Sequence, residues 1–151
     1  MDRMIVVIQI CSRAKVTVGN KELAKIKNGI LVFLGIEKND NEMDVSKIVN
    51  KIYKLRIFND EQGKMNLSIK DVKASAIVVS QFTLCASAKK GMRPSFSNAE
   101  KPGKAYILYK HFIECLKTKG IKTEAGKFGE SMDVNLTNQG PATFILNSGE
   151  I

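Results

Sequence analysis

The sequence predicts a single α+β domain spanning residues 1–151. Three observations carry that prediction. Short apolar runs are bounded by Gly-Asn and Asn-Gly turns, and two stretches show helical periodicity. No repeat, linker or low-complexity tract separates them. A chain of this length can bury a substantial core, and 44% apolar with 26% charged residues is ordinary globular composition.

The first strand is expected at "MIVVIQI" (4–10), apolar on both faces and therefore central in a sheet. Charges resume at Arg13 and no small-residue cleavage site follows, so the segment reads as a strand and not a signal peptide. "KVTV" (15–18) alternates, and Gly19-Asn20 turns the chain toward "ELAKI". Asn28-Gly29 turns it again into "ILVFLGI" (30–36), so that a β-meander of three or four strands is expected. Asn41 or Asp40 is placed to cap a helix with acids in its first turn. Val45, Ile48, Val49, Ile52 and Leu55 form its buried stripe. Short extended pieces flank Gly63, and "SAIVVSQFTL" (75–84) is a buried strand that ends in polar residues.

Residues 86–103 are loop, long enough in a compact domain to suggest function. A second helix opens near Pro102, buries Ala105, Leu108, Tyr109, Phe112, Cys115 and Leu116, and stops at Gly120. Near the end, "LTNQGPATF" (136–144) lies between two strand-like runs. It reads as a strand junction, made unusual by Pro141, which has no N–H to give a ladder.

Much chemistry is excluded. His111 is the one histidine, at a helix-surface position, which leaves no Ser-His-Asp or Cys-His nucleophile and no histidine-based metal site. Cys11, Cys85 and Cys115 are unpaired in spacing, which fits a reducing cytoplasm. No P-loop or GxGxxG occurs. The acids in "KNDNEMD" and "FNDEQGK" read as caps and turns. A net charge of +9 favours an anionic partner, nucleic acid first. What remains is a polar strand end, "SQFTL", followed by a basic loop. Its backbone N–H groups could stabilise an oxyanion, or the strand could simply turn polar as it leaves the core.

"VVSQFTL" (78–84), "KKGMRPSFS" (89–97), "GKMNLS" (63–68), "LRIF" (55–58), "GKFG" (126–129) and "NQGPAT" (138–143) stand in an order that resembles the D-aminoacyl-tRNA deacylases. The likeness runs from about residue 4 to residue 147, and "IQICSRAKVTV" shares it. It implies a homodimeric α/β fold of barrel-like character with sites at the dimer interface and no metal or other cofactor. The implied activity is hydrolysis of the ester between a D-amino acid and the acceptor end of tRNA. Glycine mischarged on tRNA-Ala would be removed too. The implied partner is RNA, not DNA or a membrane. Carried onto this sequence, Ser80, Gln81, Phe82 and Thr83 would line the catalytic pocket, with the Phe82 N–H as oxyanion donor. Gly140 and Pro141, joined by a cis bond in the family, would enter the partner's pocket and reject L-amino acids by backbone contact. Ala99 would sit beside the substrate's α-carbon, and Phe128 and Met132 would hold the adenine. The loop residues Lys89, Lys90 and Arg93 are expected to contact tRNA.

The family's activating group is either the SQFTL threonine, here Thr83, or the 2′-hydroxyl of the terminal ribose. Thr83 has no evident base beside it in sequence, which favours the RNA-assisted route. The chain departs from the family's pattern where Ile10 follows Gln9 in place of an arginine expected to orient the Gly-Pro turn. Gln139 and Ala142 are milder departures, and Arg13 falls on the other face of an alternating strand. Two further readings are an RNA-binding module without chemistry and a metal- or thiol-dependent hydrolase of small esters.

Overall fold

The computed structural model describes residues 3–151; Met1 and Asp2 lie outside it. Strand β1 (Ile5–Val18) is one continuous strand where two segments were expected. β2 (Lys21–Ile26) and β3 (Gly29–Gly35) follow the predicted turns. Helix α1 (Glu42–Lys54), the small hairpin β4 (Phe58–Asn59) and β5 (Met65–Leu67), and β6 (Ser75–Ser80) come next. Helix α2 (Pro102–Thr118), β7 (Thr123–Ala125) and the long β8 (Asp133–Asn147) complete the chain.

The expected meander does not form. β2 and β3 both pair antiparallel with β1, and they share one of its edges while β8 takes the other. Register runs on from Ala14↔Ile26 to Cys11↔Gly29 and Ile5↔Gly35, so β2 and β3 act as one arm interrupted at Lys27–Asn28. β3 then pairs parallel with β6, and β6 with β7, giving the order β2-β1-β3-β6-β7. Gly29 is required at the start of this parallel pair: a Cβ there would lie 1.9 Å from the Ser75 carbonyl oxygen.

β3 and β6 are buried on both faces, as expected, and their alternation serves two cores. Ile30, Val32, Leu34, Ala76 and Val78 face the helices, packing with Ile48, Ile52, Leu108 and Phe112. Leu31, Ile77 and Val79 face the opposite way, where Val16, Ala24 and Ile26 close over them. β1 serves both cores by changing phase. Val6, Ile8 and Ile10 join the helical core, but Cys11, Ala14 and Val16 join the second, so Ile10 and Cys11 are consecutive buried residues. Residues 4–10 are therefore buried on one face only, with Ile5, Val7 and Gln9 half-buried. The curled β1-β2 arm reaches β7, where the Lys25 N–H donates to Glu124 Oε1 at 2.9 Å, and the result approaches a barrel.

Asn41 caps α1 by accepting from the Met43 N–H at 2.9 Å, and Asp44 reaches back to the Asn41 N–H at 2.9 Å. Asp40 does not cap. It is fully buried, accepting from the N–H groups of Glu37 at 2.7 Å and Met4 at 3.0 Å. Burial, reinforced by the neighbouring Asp44 carboxylate, pushes the Asp40 carboxyl up to about 6 against the two N–H bonds. A carboxyl that holds its proton more tightly when folded stabilises the fold fully below about pH 4, and that contribution fades as pH rises through about 6. Urea denaturation from pH 4 to 7 should therefore show wild-type stability falling relative to Asp40→Asn by about 2–3 kcal/mol. Parallel curves for the two proteins would remove Asp40 as the titrating group.

Candidate active site

A cleft of about 730 Å³ opens beyond the C-terminal ends of β3 and β6, where parallel strands generally present ligand sites. Leu34, Ile36 and Val79 form its floor, and Ser80, Gln81 and Phe82 one wall. Ala99 to Ala105 form another, and Phe128 to Val134 the third. Three separate segments thus bring together Ser80, Gln81, Phe82, Ala99, Phe128 and Met132, which the sequence singles out.

The SQFTL segment changes from strand to a 3₁₀ turn (Phe82–Cys85) as it leaves the sheet. The Gln81 N–H still donates to Leu34 at 2.8 Å, and the Leu84 N–H donates back to Gln81 at 3.2 Å. The N–H of Phe82 opens the turn, where a helical backbone supplies no internal acceptor. Phe82 is 57% exposed and meets Phe96 edge-on at 5.1 Å between ring centroids. Thr83 is exposed and does not line the cleft, and its hydroxyl accepts a hydrogen bond from the Gln81 side-chain amide. An amide is no base, so this hydrogen-bond partner could not take the hydroxyl's proton.

The loop from residue 96 to 101 is held by two short backbone contacts. The Lys38 N–H donates to Asn98 at 2.9 Å and the Glu100 N–H to Ile36 at 2.9 Å, which fixes Ala99 between them. Glu100 is held below the usual carboxylate range by the Lys101 N–H and by Lys104, 3.3 Å away. Lys89, Lys90 and Arg93 lie outside the cleft on an exposed excursion closed by the Ser87–Ser95 bridge.

Sequence reasoning treated Tyr109 as core, but its hydroxyl is the tie for the third wall. It donates to the Gly126 carbonyl at 2.8 Å and lies 3.3 Å from that of Val78. Burial pushes this phenol up to about 12. Its ring packs on Phe128 at 5.6 Å, and Tyr106 packs on Phe128 at 5.3 Å. A tyrosine on an apolar helical stripe is the available signal, because a buried hydroxyl has to find a partner.

Gly140 and Pro141 are nowhere near this cleft. They border a second hollow of about 570 Å³, with Ile10, Cys11, Asn28, Ile57 and Ala74. Asn28 and Ala74 precede β3 and β6, so the hollow lies at the other end of those strands, roughly 20 Å away at ~3.3 Å per residue. "LTNQGPATF" is an excursion within β8 and not a junction between strands. β1 pairs Cys11 with Asn138 and Gln9 with Thr143, which leaves Gln139, Gly140, Pro141 and Ala142 opposite Ile10 alone. Asn138 staples the neck: its Nδ2 donates to Thr143 Oγ1 at 2.9 Å, and its Oδ1 accepts from the Ala142 N–H at 3.1 Å. The Gly140–Pro141 bond is cis, and Gly140 sits at φ +126, a conformation that suits glycine. Ile10 is buried beneath the excursion with Ala142, while Arg13 donates to Thr137 Oγ1 at 3.1 Å on its approach.

His111 is half-buried and not a free surface residue, with Nε2 3.5 Å from Cys115 Sγ. The histidine and a cysteine do meet, contrary to expectation, but burial pushes the Cys115 thiol up, away from the reactive thiolate. Burial likewise pushes Cys11 up to about 11. No three His, Cys, Asp or Glu side chains are grouped as a metal would need among the described residues. Among the described residues no helix is long and apolar enough to cross a membrane.

Tyr109→Phe should lower stability by about 1–2 kcal/mol in urea and speed amide hydrogen exchange across residues 126–132. Unchanged exchange there would show that the hydroxyl does not hold that wall.

The chain is 48% identical to D-aminoacyl-tRNA deacylase of Thermotoga petrophila, over 98% of this chain and 99% of the other. It is 49% identical to that of Aquifex aeolicus, over 98% and 100%. Among solved structures, one described as the c-Myc DNA unwinding element binding protein superposes with a TM-score of 0.88 at 37% identity, covering 95% of this chain and 97% of that one. Another, described as a probable eukaryotic D-amino acid tRNA deacylase, shares the fold with a TM-score of 0.84 at 14% identity, covering 95% and 98%. The family model for D-Tyr-tRNA(Tyr) deacylase matches residues 7–147, nearly the whole chain, and the protein belongs to that family.

Proposed function

We propose that this protein hydrolyses the ester bond of D-aminoacyl-tRNA in the cytoplasm, acts as a homodimer without metal, and also clears glycine from tRNA-Ala. The observation that carries the reading is the separation of its two motifs. Ser80, Gln81 and Phe82 border the cleft, while Gly140 and Pro141 lie about 20 Å away at the opposite end of the strands. A turn at that distance cannot screen substrates in its own protomer's cleft, but in a two-fold dimer it can meet its partner's.

In this reading the terminal adenine rests against Phe128 and Met132, and the amino acid extends past Ala99 toward Phe82. Water adds to the ester carbonyl, and the Phe82 N–H stabilises the oxyanion that forms. The ester C–O bond then breaks, releasing the amino acid and the ribose hydroxyl, which takes up a proton. The terminal 2′-hydroxyl assists the attacking water, since the hydrogen-bond partner of the Thr83 hydroxyl is an amide and not a base. Backbone carbonyls of the partner's Gly140-Pro141 turn collide with an L side chain and pass a D side chain. Lys89, Lys90 and Arg93 contact the tRNA backbone.

The test is release of tyrosine from D- and L-tyrosyl-tRNA, with and without chelator. The account expects D-tyrosine release alone, unaffected by chelator. No D-tyrosine release would overturn it, and chelator-sensitive release would revive the metal-dependent alternative. A 2′-deoxy terminal adenosine should slow hydrolysis by about 10²-fold or more, while Thr83→Ala changes it little. The reverse pattern would transfer the role to Thr83.

A further inference from the structure

The outer face of α2 has a composition that the fold does not use. Ala105, Leu108, Tyr109, Phe112, Ile113 and Leu116 are its buried side. Tyr106, at the edge of that side, is 44% exposed, and Ile107, across from it, is 64% exposed. Tyr106 is in ring contact with Phe128, whose other neighbours are the cleft and Tyr109. Lys110 stands over the Tyr106 ring at 5.5 Å and has no acidic partner among the described residues. Lys117 continues the same stripe, since residues 106, 110 and 117 lie within about 40° of one another on a helix of 3.6 residues per turn. Glu114, 3.8 Å from Lys117, is the one acid within the helix.

We propose that this face is an RNA-binding track, continuous with the cleft through Phe128, that receives the nucleotides adjoining the one held in the cleft. The proposal rests on the hydrolase reading for the identity of that nucleic acid. An aromatic face beside a flexible cation is the arrangement that holds a single strand, the ring stacking a base and the ammonium meeting a phosphate. Tyr106 supplies the ring next to the cleft, and Lys110 and Lys117 extend the cationic stripe about 16 Å down the helix at ~1.5 Å per residue. A base leaving Phe128 meets Tyr106 next, with no gap between the rings.

The experiment compares wild type, Tyr106→Ala and the double variant Lys110→Gln/Lys117→Gln. It measures binding of uncharged tRNA across a salt series, and hydrolysis of the 3′-D-tyrosyl ester of adenosine, which has no adjoining nucleotides. The double variant should bind tRNA about tenfold more weakly, with the log–log salt slope reduced by about 1.4–1.8, two phosphates' worth. Tyr106→Ala should weaken binding with little change in slope. The double variant, whose lysines touch neither Phe128 nor the cleft lining, should hydrolyse the adenosine ester as wild type does. Unchanged tRNA affinity and slope, or equal loss by the double variant on the adenosine ester, would overturn the proposal. So would a DNA hairpin of the same sequence bound as tightly, or variants that become monomeric in sedimentation, which would make the face a subunit contact. Wild type that binds tRNA with these dependences yet hydrolyses neither ester would sink the hydrolase reading and leave the track standing.

Discussion

The fold turns on β1 being paired along both edges while serving two cores. β3 and β6 face both cores by plain alternation, whereas β1 gives Val6, Ile8 and Ile10 to one core and then Cys11, Ala14 and Val16 to the other, a handover that goes with irregular pairing. The pairing with β8 shifts on both sides of Cys11: between Gln9 and Cys11 the extra residues are in β8, and between Cys11 and Arg13 the extra residue is Ser12 of β1. Four residues of β8 have a single residue of β1 opposite them and so leave the ladder. The Gly-Pro excursion is thus placed by the same break that lets the β1-β2 arm curl over the second core. Asn138 and Thr143, the outer residues of the Asn-x-Gly-Pro-x-Thr motif, close its neck and keep the excursion in one shape.

The cleft follows from the other half of the architecture. β3 and β6 run parallel, end together, and are buried on both faces, so only their ends can meet a ligand. What lies at that end is the start of a 3₁₀ turn, the aromatic rings of Phe82, Phe96 and Phe128, and the charged residues Lys38, Glu100, Lys101 and Glu130. The groups with raised proton affinity, Asp40, Tyr109, Cys11 and Cys115, are not cleft-lining and owe their shifts to burial. For the proposed hydrolysis such a site offers positioning and oriented dipoles, a setting that suits a hydroxyl brought by the substrate better than a protein nucleophile.

Local pattern revealed the elements well: the turns at Gly19 and Asn28, the cap at Asn41, and the buried face of α2 all stand where periodicity and turn chemistry put them. Pairing partners were not legible, because alternation says that a strand is buried and not which strand lies beside it. Hence a meander was expected where β2 and β3 share one edge of β1. "LTNQGPATF" reads as a junction between two strands for a similar reason: a residue without an N–H looks like a boundary until the pairing shows that β8 resumes beyond it. Asp40 looked like a cap because its two buried N–H partners, at Met4 and Glu37, include one far along the chain. The cleft residues were legible through the family resemblance, whereas composition alone left "SQFTL" open between an oxyanion site and a strand end.

The central claim is that each cleft is screened by the other protomer's turn, and mixed dimers test it most directly. Ala99→Trp would fill the cleft of one protomer. Gly140→Val, at φ +126, would spoil the turn of the other. In a dimer carrying one of each, the single open cleft belongs to the protomer with the damaged turn but faces its partner's intact one. The account predicts that this dimer hydrolyses D-tyrosyl-tRNA and still rejects L-tyrosyl-tRNA, although the Gly140→Val homodimer accepts both. Hydrolysis of L-tyrosyl-tRNA by the mixed dimer would contradict it.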